Sequence, residues 1–250
     1  MINHKVLSSE DNGHFIKTQS FEELFNLLKT LKRGQGRFIH VMGTPGTGKS
    51  ANIYQALAEL DLNVYDAFLF IDLDNTSSEV LDIFWDTIQR DMGVTSHKEI
   101  YNKASTYDLV LFADKFLDSE YLDSEKVGLG LWTEKHGPST FPFYFRMLVE
   151  YIKNRNKLKN INVITQTAWV LKFRGVRYDI LTDFGLFSRF LVFLIKQLFE
   201  VVIISYSHEE VIKIVRNHPL AGNDEEIEDY IKKYGNRPRF IFEALEKDSQ

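Results

Sequence analysis

One segment of the chain carries residues whose types and spacing suit the binding of phosphate groups. It fits the pattern G-x-x-x-x-G-K-[ST] in full, with the residues Gly43, Thr44, Pro45, Gly46, Thr47, Gly48, Lys49 and Ser50. Glycines let successive backbone N–H groups turn toward an anion, and the positive end of a following helix adds to the attraction. The pattern requires a strand before it and a helix after it, and the apolar run 37–42 and the segment 49–60 supply both.

The last two residues of this phosphate-binding loop (P-loop) predict the chemistry of its ligand. Lys49 is expected to reach the β- and γ-phosphates of a nucleotide, and the Ser50 hydroxyl is expected to bind Mg²⁺. The sequence therefore predicts ATP or ADP as the bound nucleotide and Mg²⁺ as the accompanying cation.

A carboxylate at the end of a neighbouring strand is needed to hold the Mg²⁺ shell, and two aspartates compete for this role. Asp72 follows the apolar run 67–71, and Asp114 follows the run 109–113. The strand that ends at Asp72 comes directly after the loop helix and would lie at the sheet edge, so Asp114 is preferred as metal ligand and catalytic residue. The next residue is Lys115, where an efficient hydrolase is expected to carry Glu. The sequence therefore predicts slow hydrolysis, or a nucleotide that acts as a conformational ligand.

The elements that must position these residues follow from hydrophobic patterning. Short apolar runs predict five buried strands at 37–42, 67–72, 108–113, 160–165 and 200–205. Candidate helices alternate with them at 21–31, 49–60, 78–92, 141–157 and 187–198. This alternation predicts an α/β fold with a mainly parallel five-stranded sheet between helices.

The pattern changes after the fifth strand. Ser207 and Glu210 have the spacing of a capping box that opens a helix, a second helix is predicted at about 224–234, and a third begins near Pro238. We therefore expect a nucleotide-binding domain over 1–206 and a small helical lid over 207–250.

Composition excludes several classes of protein. The absence of cysteine from the sequence rules out disulfide frameworks, Cys-ligated zinc, iron–sulfur clusters and thiol nucleophiles. The most apolar stretch, 187–205, is interrupted by three charged residues, which argues against a membrane span. The N-terminal residues 1–17 lack a signal-peptide pattern, so a cytoplasmic location without membrane contact is expected. The net charge of −5 disfavours nucleic acid overall, and contact with it would be local, at the basic runs 153–159 or 172–177.

The chain resembles the AAA+ ATPases, in particular the origin-recognition and initiator ATPases and related archaeal-type ATPases. The resemblance covers about residues 20–247 and rests first on the loop at 43–50. The order of the strands supports it, as do Ser188-Arg189-Phe190 before the fifth strand and Gly235-Asn236-Arg237-Pro238-Arg239 in the appendage. It implies a P-loop NTPase fold with a C-terminal helical lid.

The resemblance also implies roles for five residues outside the loop. Thr165 or Gln166, at the end of the fourth strand, matches the position of a polar sensor of the γ-phosphate. Arg189 looks like the arginine finger that reaches the nucleotide of a neighbouring subunit. Arg237 and Arg239 are similar to the lid arginine that touches the phosphates of its own subunit, and Arg239 is favoured of the two.

These observations predict an ATPase that couples nucleotide binding and slow hydrolysis to conformational change on a DNA or protein partner, with nucleotide-dependent homo-oligomers. A nucleotide-gated switch with little or no turnover is the alternative that Lys115 favours. A small-molecule kinase also uses a P-loop and is the third hypothesis.

Overall fold

The apolar runs of the sequence form the strands of a parallel sheet. The structure, a computed structural model, describes residues 15–31, 36–66, 77–112, 130–132, 141–167, 170–173, 176–197 and 199–249. Its strands are β1 (Phe38–Met42), β2 (Val64–Asp66), β3 (Val110–Phe112), β4 (Gly130–Trp132), β5 (Asn162–Thr167), β6 (Val170–Phe173), β7 (Val176–Asp179) and β8 (Glu200–Ile203). Its helices are α1 (Gln19–Lys29), α2 (Lys49–Glu59), α3 (Ser77–Met92), α4 (His97–Thr106), α5 (Phe141–Leu158), α6 (Leu186–Lys196), α7 (His208–Arg216), α8 (Asp224–Tyr234) and α9 (Pro238–Asp248).

Five strands form the central sheet in the order β2-β3-β5-β1-β8, and every neighbouring pair is parallel. This confirms the predicted mainly parallel five-stranded sheet. β1 lies in the interior of the sheet, so the P-loop leaves its carboxyl end between β5 and β8. The strand β2, which follows α2, lies at the edge of this sheet. The predicted run 67–72 lies outside the described residues.

Helices cover both faces of this sheet because its strands are apolar on both sides. Ile39 and Ile164 point to one face, where they pack with α1 and α2. Tyr65 and Val163 belong to the other cluster, with α3, α4 and α5. Burial of these two faces fixes the sheet and with it the start of the P-loop.

Two features of the fold were not predicted. The first is α4, which begins after Ser96, whose side chain accepts a hydrogen bond from the backbone N–H of Glu99. Ser96 and Glu99 have the same spacing as the capping box at Ser207, but α4 is too polar to show a clear apolar period. The second is a three-stranded sheet with the order β4-β6-β7, in which β6 and β7 form an antiparallel hairpin.

The hairpin includes the basic run 172–177. Its two strands read Val-Leu-Lys-Phe and Val-Arg-Tyr-Asp, and only Arg174 and Gly175 separate them. A two-residue connection that contains glycine is typical of a tight hairpin.

The three C-terminal helices form a small bundle with its own core of Val211, Val215, Ile227, Ile231, Ile241 and Leu245. Ser207 and Glu210 form the predicted capping box at the start of α7. The structure therefore confirms a small helical element after β8. Among the described residues, no helix has the length and apolar character needed to cross a membrane.

Candidate functional site

The P-loop runs from the end of β1 to the first turn of α2, and its backbone requires glycine. Gly43, Gly46 and Gly48 have positive φ angles of 157°, 88° and 70°. A Cβ at Gly43 would lie 2.5 Å from the carbonyl oxygen of Ile204, just past β8. Only glycine lets the loop pass this close to the neighbouring strand without a shift of the backbone. Thr47 closes the loop, since its hydroxyl donates to the Thr44 carbonyl at 2.9 Å.

The Lys49 ammonium lies over the loop. Its Nζ donates to the carbonyl oxygens of Gly43 at 3.0 Å and Thr44 at 3.4 Å. Hydrogen bonds from an ammonium to anionic oxygens are stronger than those to neutral carbonyls. The side chain can therefore exchange these acceptors for phosphate oxygens, which fits the predicted role of Lys49.

The structure brings Gln166 to the loop and does not bring Thr165 there. Gln166 is buried, and its Nε2 donates to Ser50 Oγ at 3.1 Å. Thr165 precedes it in β5, so its side chain points to the opposite face of the sheet. There its hydroxyl makes a 2.6 Å hydrogen bond with Nδ1 of His40. Strand alternation thus separates two residues that the sequence left as equal candidates.

His40 adds no positive charge to this region near neutral pH. Its ring centroid lies 5.7 Å from that of Phe199. Burial lowers the pKa of His40 to about 4 because the charged imidazolium loses its hydration. The pair of His40 and Thr165 therefore belongs to the neutral interior behind the loop.

The lid touches the phosphate loop through the first turn of α9. The backbone N–H of Arg239 donates to the Gly46 carbonyl at 3.1 Å. A Cβ at Gly46 would lie 3.2 Å from the ring of Phe240, so that ring packs directly on the loop. The start of a helix carries partial positive charge, which here faces the loop. The first turn of α9 therefore lies in direct contact with the phosphate loop.

The two lid arginines point in different directions. The Arg237 guanidinium, 25% exposed, lies 3.7 Å from Oδ2 of Asp183, in the turn after β7. The Arg239 guanidinium, 62% exposed, bonds Glu243 on its own helix at 3.0 Å. The sequence favoured Arg239 as the phosphate contact, whereas the structure brings the backbone of Arg239 to the loop and the side chain of Arg237 to the core domain.

A buried asparagine joins the loop helix to the lid. Asn52 Nδ2 donates to the Gly48 carbonyl and to the Tyr206 hydroxyl, both at 2.8 Å. Burial raises the pKa of Tyr206 to about 12, so this hydroxyl keeps its proton. Asn236, which precedes α9, donates to the Tyr206 carbonyl at 2.9 Å. Sequence analysis missed this connection because its members lie far apart along the chain.

A second set of residues that sequence analysis missed surrounds the turn after β7. Asp179 is 1% exposed, and its neighbour Leu181 packs on Met42 and Val192. Met42 directly precedes the first glycine of the P-loop, so the turn lies beside the loop. Burial raises the pKa of Asp179 to about 6, against the opposing charges of Lys49 and Arg237.

Arg189 lies on the exposed surface of α6, away from these contacts. Its surroundings include large apolar side chains that are also exposed, among them Leu186 at 81%, Phe187, Phe190 and Phe193. The structure thus places Arg189 on an exposed surface, where another molecule can contact it.

The two aspartates proposed for Mg²⁺, Asp72 and Asp114, lie outside the described residues. In the described parts of the chain, no group of three or more His, Cys, Asp or Glu side chains is placed to hold a metal ion. The described candidate ligand is Ser50, at the start of α2. A hydroxyl beside a loop for anions fits Mg²⁺ that arrives with a nucleotide, since this ion prefers to share its oxygen ligands with phosphates.

No family model matches the chain, and no curated protein matches it. Several solved structures are similar to it, including the following three. The Walker-type ATPase PABY2304 of Pyrococcus abyssi is 14% identical, with a TM-score of 0.48 over 91% of this chain and 65% of that one. AMPPCP-bound DnaA from Aquifex aeolicus is 16% identical, with a TM-score of 0.41 over 93% and 62%. Cdc6p from Pyrobaculum aerophilum is 12% identical, with a TM-score of 0.43 over 83% and 51%.

This chain covers less than two thirds of the length of each of these three proteins. The sheet order and the loop after β1 show directly that it has a P-loop α/β fold with a small helical element at its C-terminal end. The loop, with its inward-turned backbone and Lys49, can bind an anion, and α9 lies in contact with it.

Proposed function

We propose that this protein binds ATP with Mg²⁺ at residues 43–50, hydrolyses it slowly, and couples the state of the nucleotide to movement of a lid over 207–250. The observation that carries the proposal is the contact between lid and loop. Arg239 donates its backbone N–H to Gly46, and Phe240 packs on the same glycine. A triphosphate that enters the loop must therefore displace or reorganise the first turn of α9.

The roles of the chain's own residues follow from their positions. Lys49 binds the β- and γ-phosphates once it leaves the loop carbonyls, and Gln166 holds the Ser50 hydroxyl in place. Arg237, between the lid and Asp183, is the lid arginine closest to the core. Mg²⁺, when bound, neutralises phosphate charge, and Ser50 is the described residue that would hold it.

Nucleotide binding is tested by measuring ATP affinity calorimetrically for the wild-type protein and for Lys49→Ala. Loss of charge-assisted hydrogen bonds is expected to lower the affinity by about 100-fold or more, since each contributes roughly 1.5–3 kcal/mol. Tight ATP binding by Lys49→Ala would refute the proposed site.

Substitutions of two neighbouring residues in β5 form a matched test of the rate of ATP hydrolysis. Gln166→Ala removes the partner of Ser50 and is expected to slow phosphate release at least about tenfold. Thr165→Ala removes a hydroxyl on the opposite face and should leave the rate within about twofold. Equal effects of the two substitutions would contradict the proposed role of Gln166.

A switch without turnover is the second candidate function, and Lys115 after Asp114 is the observation that favours it. In that case the lid would respond to ATP binding alone. Phosphate release is measured with and without Lys115→Glu. A large gain in rate from this substitution would support the switch, whereas an unchanged, measurable rate would support a native hydrolase.

We also propose that α6 supports nucleotide-dependent association of identical subunits, with Arg189 reaching the nucleotide of a neighbour. Its exposed phenylalanines and Leu186 form an apolar surface of the kind that marks protein contacts. Sedimentation with a non-hydrolysable ATP analogue should show assembly for the wild-type protein. Phe190→Asp should abolish it, and Leu220→Asp, at an exposed leucine of the lid, should not. A monomer under all conditions would refute the proposal.

The external partner is proposed to be DNA or a protein. The basic end of α5 supports DNA, since Lys153, Arg155 and Lys159 are exposed there. Fluorescence anisotropy with labelled DNA at increasing salt tests this candidate. Binding that weakens with salt and is lost on substitution of these three residues by Ala would favour DNA, and no binding at low salt would favour a protein partner.

A further inference from the structure

The turn after β7 brings a carboxylate to the phosphate loop. β7 ends at Asp179, and the chain then turns so that the backbone N–H groups of Thr182 and Asp183 donate to the Asp179 carbonyl, at 3.2 and 2.8 Å. Leu181, in the middle of this turn, packs on Met42, the last residue of β1. The turn is thereby fixed against the strand that leads into the P-loop.

The two oxygens of the Asp179 carboxylate differ in their hydrogen bonding. Oδ1 accepts a hydrogen bond from the backbone N–H of Leu181 at 2.7 Å. Oδ2 is buried and has no hydrogen-bond partner among the described residues. A buried polar atom without a partner lowers the stability of the folded state. Such an atom needs an explanation, and functional sites are where unpaired polar atoms are tolerated.

The charges around Asp179 are those of the nucleotide site. Lys49 approaches from the P-loop and Arg237 from the lid, and both favour the ionised carboxylate. Asp183 opposes ionisation, and its own Oδ2 accepts from the Asp179 N–H at 2.8 Å while it faces Arg237. Burial outweighs these effects and raises the pKa, so that the group is a stronger base than an ordinary aspartate while it remains ionised at neutral pH.

We propose that Asp179 is the general base of ATP hydrolysis, the catalytic residue that accepts a proton from the attacking water. The inference rests on the proposed function and names the residue that performs its chemical step. It also accounts for Lys115, since a chain without Glu at that position needs a carboxylate from elsewhere. The turn that carries Asp179 packs on the last residue of β1, directly before the P-loop, and the buried Oδ2 has no hydrogen-bond partner among the described residues.

In the proposed step, the oxygen of a water molecule forms a bond with the γ-phosphorus of ATP. The bond between this phosphorus and the oxygen that bridges it to the β-phosphate breaks, and ADP leaves with that electron pair. The proton of the water passes to Oδ2 of Asp179 and then to solvent. No oxidant or reductant is needed, and water is the co-substrate.

The experiment compares the full-length wild-type chain with Asp179→Asn, which keeps the acceptor for the Leu181 N–H and removes the base. ATP affinity, thermal stability and single-turnover phosphate release are measured, the last from pH 5 to pH 8. Asp61→Asn, at an exposed aspartate after α2, is the matched control. We expect Asp179→Asn to bind ATP within about threefold of wild type and to lose about 100-fold or more in rate. The acid limb of the wild-type pH profile should be absent from its remaining activity.

Other outcomes overturn the proposal in different ways. A rate for Asp179→Asn within threefold of wild type would exclude Asp179 as the base and leave the proposed ATPase intact. Loss of affinity together with rate would make it a structural or binding residue. A wild-type protein that binds ATP without releasing phosphate would refute both the base and the hydrolysis. Failure of the wild-type protein to bind ATP would refute the proposed function itself.

Discussion

Substitution of Asp179 by asparagine should make the protein more stable at neutral pH, because it removes a buried carboxylate that is ionised there. The carboxylate is 1% exposed, and burial raises its pKa from the ordinary 3.8 to about 6. The folded state therefore holds a proton more tightly than the unfolded state does. Below about pH 3.8 Asp179 is protonated in both states and does not lower the free energy of unfolding. As pH rises through 6, the free energy of unfolding of the wild-type protein falls.

The size of this effect follows from the two pKa values. They differ by about 2.2 pH units, and each unit corresponds to 1.36 kcal/mol, so that ionised Asp179 lowers the free energy of unfolding by about 3 kcal/mol above pH 6. Asn cannot ionise and keeps the hydrogen bond from Leu181. The difference in stability between Asp179→Asn and wild type should thus grow by about 3 kcal/mol between pH 4 and pH 7 and stay constant above.

Urea denaturation of both proteins at closely spaced pH values measures this difference. Because other titrating groups are common to the two chains, their contributions cancel when the curves are subtracted. A difference that is constant from pH 4 to pH 8 would show that Asp179 titrates normally and would refute the environment derived for it. A difference that grows as pH falls would contradict the sign of the argument.

Three further predictions concern the loop and its surroundings. His40→Asn should remove an acid-induced loss of stability. Burial lowers the pKa of the wild-type imidazole to about 4, so the unfolded chain takes up a proton first, and the free energy of unfolding falls by about 3 kcal/mol between pH 6.5 and pH 4. Urea denaturation curves that show the same fall for the variant would contradict this prediction. Gly43→Ala should lower the free energy of unfolding by about 1–3 kcal/mol, since its Cβ would lie 2.5 Å from the Ile204 carbonyl; an unchanged melting temperature would show that the loop relaxes freely. Phe240→Ala should speed the dissociation of a fluorescent ATP analogue severalfold in stopped-flow measurements, because it removes the ring that packs on Gly46. An unchanged dissociation rate would show that this contact does not affect the bound nucleotide.

Much of the scaffold could be predicted from the sequence because it depends on short-range patterns. The P-loop pattern, the capping box at Ser207 and the apolar runs are set by neighbours a few residues apart. The hairpin of β6 and β7 was not predicted, because each of its strands is only four residues long and carries a basic residue.

The sequence by itself determined that a phosphate-binding loop follows a buried strand and opens a helix, since backbone geometry and local residue types suffice for that. Only the tertiary structure decided that Gln166 rather than Thr165 meets Ser50, because the choice depends on which face of β5 turns toward α2. It likewise brought Arg237 and Asp179 into the electrostatic environment of Lys49. Contacts between residues so distant in the chain depend on how separate elements pack, and no local pattern records them.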